Sequence, residues 1–134
     1  MKLLNFAIIS ILALFFASCN KDNDSTPAPV PPATIEGVYA GKYGFDNEAP
    51  HANYTLNLKA NGTIQEIGQS SGAPTGQGTY SIKGNHLSAT YKMLFEPYND
   101  YFIEATFDAA SKTIIGTWGY EAGATDGGKF SVKK

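Results

Sequence analysis

Arginine is absent from this chain: all ten basic residues are lysines, set against twelve carboxylates. Arginine is the preferred side chain for bidentate phosphate recognition, so its absence, with a formal charge of −2, argues against a nucleic-acid partner. Histidine is nearly as scarce, and only His51 and His86 could serve as neutral-pH bases. There is no His-Glu-x-x-His, no pair of cysteines and no phosphate-cradling loop. Ser70 and Ser71 lie between Gly68 and Gly76 without the pattern of a nucleophile elbow. Asp22-Asn23-Asp24 lacks the glycine and terminal glutamate of a calcium loop. Glu66, Glu96, Glu104 and Glu121 are the glutamates open to a glycosidase, and their spacing alone brings no two across a cleft. The expectation is a non-catalytic protein with no cofactor and no metal site. The least favoured alternative is a hydrolase using His51 with a loop carboxylate.

Cysteine occurs once, at Cys19. Met1-Lys2 gives a positive start, and Leu3 to Ala17 is apolar except for Asn5 and Ser10. About 15 apolar residues match a signal-peptide core and fall short of the ~20 needed to span a bilayer. Phe16-Ala17-Ser18-Cys19 is followed at once by polar Asn20-Lys21-Asp22-Asn23-Asp24. The segment 1–18 resembles the signal peptide of bacterial lipoproteins, with small Ala17 and Ser18 before the cysteine and Phe16 where that family prefers Leu. The resemblance implies cleavage before Cys19, a diacylglycerol thioether on its sulfur and acylation of the new amino group, for instance with palmitate. The lipid bilayer would then be a partner, since more than one acyl chain makes anchoring stable. No thiol would remain for disulfide or zinc chemistry. The alternatives are an uncleaved inner-membrane anchor, or a plain secretory leader with a spare thiol. Lys21 followed by acidic residues also resembles the short tag of lipoproteins carried to the outer cell surface, which implies an outer-membrane location. Residues 19–33 read as a stalk: Pro27, Pro29, Pro31 and Pro32 favour extended chain, reaching roughly 40 Å.

From Thr34 the pattern changes to period two. Tyr54, Leu56 and Leu58 alternate with polar residues, as do Leu87, Ala89, Tyr91 and Met93, then Tyr101, Ile103, Ala105 and Phe107. Such alternation marks half-buried antiparallel strands. No sustained helical period follows Cys19. The spacing predicts strands near 35–43, 52–60, 62–68, 76–83, 86–94, 99–107, 112–120 and 127–133. Asn61-Gly62 and Gly84-Asn85 suit type I′ hairpin turns. Ile64 and Ile67 break the alternation, which predicts a bulge. Sequential hairpins of this number favour closure, because closure removes exposed edges. The fold class is therefore all-β, an eight-stranded antiparallel up-and-down barrel over residues 34–134.

Gly37-Val38-Tyr39, Gly78-Thr79-Tyr80 and Gly116-Thr117-Trp118 each place glycine two residues before an aromatic, which suits close backbone approach or an aromatic covering the glycine. With Gly37-Val38-Tyr39 where those families open with Gly-x-Trp, the domain resembles lipocalin-like and avidin-like barrels. The resemblance transfers no ligand set. The expected inward set is Ile35, Tyr39, Tyr54, Leu56, Leu58, Ile64, Tyr80, Ile82, Leu87, Ala89, Tyr91, Met93, Tyr101, Ile103, Ala105, Phe107, Ile114, Trp118, Phe130 and Val132. A buried tyrosine hydroxyl needs a partner. Either these tyrosines fill a solid core with hydroxyls at the barrel ends, or they line a pocket. The leading expectation is binding of a small amphipathic or aromatic molecule, or a glycan fragment, by Tyr39, Tyr54, Tyr80, Tyr91, Tyr101 and Trp118. The alternative is a protein-interaction or inhibitor module with a solid barrel, whose partner would be an envelope protein or a secreted enzyme. Loop aromatics beside carboxylates in 44–51, 95–100 and 120–126 suit a sugar face, protein recognition, or ordinary loop composition.

Overall fold

The computed structural model describes residues 34–123 and 126–134. The leader 1–18, Cys19 and the stalk 19–33 lie outside the described residues, as do positions 124 and 125 of the last loop. The strands are β1 (Gly37–Tyr43), β2 (Ala52–Leu58), β3 (Thr63–Ile67), β4 (Pro74–Lys83), β5 (His86–Met93), β6 (Asp100–Asp108), β7 (Thr113–Gly119) and β8 (Gly128–Lys133). Each pairs antiparallel with the next, and β1 pairs with β8 through Gly41↔Val132 and Tyr43↔Phe130. The result is a closed eight-stranded up-and-down barrel, the architecture the alternation predicts.

Strand direction gives the barrel two distinct ends. Connections 59–62, 84–85 and 109–112 gather at the base, where the chain enters β1 and leaves β8. The backbone N–H of Lys134 donates to Lys112 O at 3.0 Å, and its ammonium donates to Glu36 O, so both ends of the barrel chain share that pole. The longer connections 44–51, 68–73 and 94–99, with the described residues 120–123 and 126–127 of the last, lie at the opposite mouth.

The turns differ in detail from the expected type I′ pair, which needs positive φ at both central residues. Gly62 has φ 79° while Asn61 does not share the left-handed region, and Gly62 N–H closes the turn on Lys59 O at 3.0 Å. Gly84 alone is left-handed in the two-residue link to Asn85, the pattern of a type II′ turn. The register does shift between Glu66 and Ile67, where a bulge is expected in β3, but the extra residue is Thr75 on β4: Glu66 pairs with Gly76 and Ile67 with Pro74.

Leu56, Leu58, Ile64, Leu87, Ile103, Ile114, Phe130 and Val132 are fully buried and form a sealed core beneath the mouth. Fully burying such a side chain contributes about 1.5–3 kcal/mol. The remaining expected inward residues join or pack against this core, with one correction. Ile82 shares a face with its cross-strand partner Leu87, but it overhangs the base hairpin and is 39% exposed. Two of the three triplet glycines serve close backbone approach: a Cβ on Gly78 would strike the Thr90 carbonyl, and one on Gly116 the Glu104 carbonyl. Aromatic cover falls elsewhere, on Gly76, where a Cβ would lie 2.7 Å from the Tyr91 ring.

Candidate functional site

A cavity of about 160 Å³ opens at the mouth. Its walls come from strand ends that converge there: Tyr43 closes β1, Tyr54 is the third residue of β2, Met93 closes β5, Tyr101 is the second residue of β6 and Trp118 the next to last of β7. Phe45 and Tyr120, from the loops just beyond β1 and β7, complete the rim. Glu66 enters from β3. It faces inward because it lies in register with Leu56 on one side and Gly76 on the other. Gly76 brings no side chain, and the Tyr91 ring occupies the space beside it.

The rings hold one another. Tyr91 and Tyr101, cross-strand partners, stack with centroids 5.4 Å apart and planes 17° from parallel. Trp118 meets Tyr43, Phe45, Tyr101 and Tyr120 at 5.5–5.9 Å. Its indole N–H donates to Gly44 O at 3.1 Å, which ties the β1–β2 loop to the wall. The Tyr54 and Tyr91 hydroxyls bond each other at 3.0 Å. Among the described residues, every fully buried side-chain nitrogen and oxygen has a hydrogen-bond partner.

Burial dominates the electrostatics. It pushes the Tyr54 and Tyr91 hydroxyls well above the ordinary phenol range, and Tyr43 upward as well. It also raises the Glu66 carboxyl, against a smaller lowering by hydrogen bonding from Tyr91. Desolvation of the charged form is the common cause.

The six residues expected to form a ligand site divide between the two ends. Tyr54, Tyr91, Tyr101 and Trp118 meet at the mouth. Tyr39 and Tyr80 do not: the Tyr39 hydroxyl donates to Ile35 O at 2.6 Å, and the Tyr80 hydroxyl to Lys59 O at 2.8 Å, both toward the base. Those two fill the core with their hydroxyls capped by backbone, because their strand positions fall nearer the base turns. Tyr43, Phe45, Glu66, Met93 and Tyr120 belong to the cavity and were absent from the expected ligand set. Glu66 had a signal, since it stands two residues beyond inward Ile64 on the same face; reading Ile64 and Ile67 together hid that parity.

The histidines lie apart from the cavity. His51 Nδ1 is 3.6 Å from Glu48 Oε2 in the β1–β2 loop, with both side chains largely exposed. On the outer wall, His86 Nε2 and the Ser88 hydroxyl both lie 2.8 Å from Glu104 Oε2. Glu104 and Ser88 thus share one histidine nitrogen, so no relay runs through the ring from carboxylate to hydroxyl. Among the described residues, no group of three His, Cys, Asp or Glu side chains gathers with metal-binding geometry.

In comparisons with known proteins, no family model, curated protein or solved structure matches this chain.

Proposed function

We propose that this chain is a lipid-anchored envelope lipoprotein whose barrel binds a small amphipathic or aromatic molecule, or a glycan fragment, without catalysis. The observation that carries the binding reading is the mouth cavity, walled by interlocked aromatic rings and holding one inward carboxylate. Concave, mostly apolar sites with a few placed polar groups are the usual form of small-molecule sites. Trp118, the chain's one tryptophan, stands in the wall and supplies the readout. Titration with metabolite and glycan panels is expected to change its emission for at least one class. A Met93→Phe substitution, which fills the cavity from β5, should weaken that response. Silence from every class would remove the pocket reading.

The anchor reading places diacylglycerol on Cys19 and the protein on the outer membrane, facing the cell exterior. It rests on the apolar run before Ala17-Ser18-Cys19 and the polar turn after it. Metabolic palmitate labelling should mark the wild-type chain and spare Cys19→Ser. Native protein retaining the residues ahead of Cys19 would refute it. Protease treatment of intact cells should remove the domain; survival until the outer membrane is broken would place it on the inner face.

A second reading has its own observation. Leu94, Phe95 and Tyr98 are 54%, 51% and 46% exposed in the β5–β6 loop at the mouth end. Clustered exposed apolar side chains suit protein docking. This reading expects a cross-linked envelope partner that is lost when Phe95 and Tyr98 are changed to Ser.

A further inference from the structure

We infer that the ligand of the mouth cavity is a small organic cation, an alkylated or quaternary ammonium, seated between the Glu66 carboxylate and the surrounding aromatic rings. The inference rests on the small-molecule reading above and narrows its chemistry.

Among the described residues, Glu66 is the only acidic side chain in the cavity wall, and no lysine or histidine lines it. The groups that face the carboxyl are the hydroxyls of Tyr43 from β1, Tyr54 from β2 and Tyr91 from β5, with Tyr101 from β6 in the same wall. Its β4 neighbour, Gly76, brings no side chain. Glu66 is half-buried and takes a hydrogen bond from Tyr91 but meets no cation in the wall, and a carboxylate withdrawn from water is costly unless paired. The rest of the wall is aromatic, and ring faces carry negative quadrupoles that attract cations, tryptophan most strongly. An anionic ligand would meet like charge from Glu66 and repulsion from the rings.

A neutral polyol fits the site less well. Tyr54 and Tyr91 are bonded to each other and the Trp118 N–H is held by Gly44 O, so a polyol is left the Tyr43, Tyr101 and Tyr120 hydroxyls and brings no counter-charge to the carboxylate. Size points the same way. At about 160 Å³ the cavity is near the size that takes one benzene-sized molecule, which suits an alkylammonium group and excludes a disaccharide.

Burial raises the carboxyl's pKa, so an incoming cation favours the ionised form and displaces the proton. Affinity should rise with pH through the carboxyl's titration and then level off.

The test uses the full-length chain and two probes of nearly equal shape: choline, and dimethylbutanol, its uncharged isostere. Trp118 emission and calorimetry are recorded from about pH 8 down to about pH 4, a range that brackets the ordinary glutamate value. Choline is expected to bind at least about tenfold more tightly than the isostere, the ratio shrinking as pH falls. Glu66→Gln should abolish the preference, and Glu66→Asp should keep part of it. Equal binding of both probes, or a preference that survives in Glu66→Gln, would overturn the cation assignment while leaving the pocket intact. Binding of neutral aromatics or sugars without choline would do the same. No response to choline, the isostere or the wider panels would remove the pocket reading as well. If Glu66→Gln fails to fold, the comparison of choline with its isostere on the wild-type chain decides alone.

Discussion

Two carboxylates show how placement on the barrel sets opposite pH responses. Burial raises the Glu66 pKa, so the folded state keeps its proton to higher pH than the unfolded chain does. Its contribution to stability is full below the unfolded value and is lost as pH rises through the folded one. Asp108 sits in the β6–β7 turn, where Ser111, through its side chain and backbone, and then the Ala110 N–H hold its pKa down. Its contribution is present above the unfolded value and is lost as pH falls through the folded one. Denaturant titrations across pH should therefore show Glu66→Gln becoming more stable relative to wild type as pH rises through the Glu66 titration. Asp108→Ala should be the weaker protein at neutral pH, with the difference closing below about pH 4. Residue parity made most of the core legible: Tyr54, Tyr91, Tyr101 and Trp118 fall inward as their alternation demands. Parity does not say how far along the barrel axis a ring sits, so Tyr39 and Tyr80 were grouped with the mouth although they cap the base. Tyr43 shares the parity of Tyr39 and was readable by the same rule.

Strands and turns were legible to different depths. Side-chain alternation is a direct consequence of the pleat, so the eight segments were found within a few residues of their bounds. Turn type depends on the φ of each central residue, which composition constrains weakly. Asn61 and Asn85 tolerate a left-handed backbone without requiring it, and only their glycine neighbours adopt it. At Gly84, with φ 64°, replacement by alanine should cost about 1 kcal/mol. Chemical denaturation reads that loss directly. The mouth loops were the least legible elements, because the features that fix them are tertiary. Phe45 packs on Tyr43 and Trp118, and Gly44 receives the indole hydrogen bond, across a long sequence separation.

At the scale of the whole molecule, closure makes every strand central. β1 and β8 pair although they lie at the two ends of the described barrel, so neither leaves a row of unpaired backbone groups. The sealed layer beneath the cavity holds this seam together. Ile103, fully buried in the middle of β6, packs in that layer, and Ile103→Ala should destabilise the protein by about 2–5 kcal/mol. A thermal melt should register it as a clear fall in midpoint. The layer also separates the two poles, so a substitution such as Tyr80→Phe at the base should leave ligand response at the mouth unchanged. Closure was readable from the number of hairpins; the position of the cavity was not, because it depends on which ends of the strands the large rings occupy.

Glu36 and Lys134 meet at the pole remote from the aromatic rim. Attaching the barrel to a sensor chip through a residue at that pole therefore leaves the opening unobstructed. A permuted chain that joins those neighbouring ends and begins instead between Lys83 and His86 would keep all eight ribs in their original order around the wall.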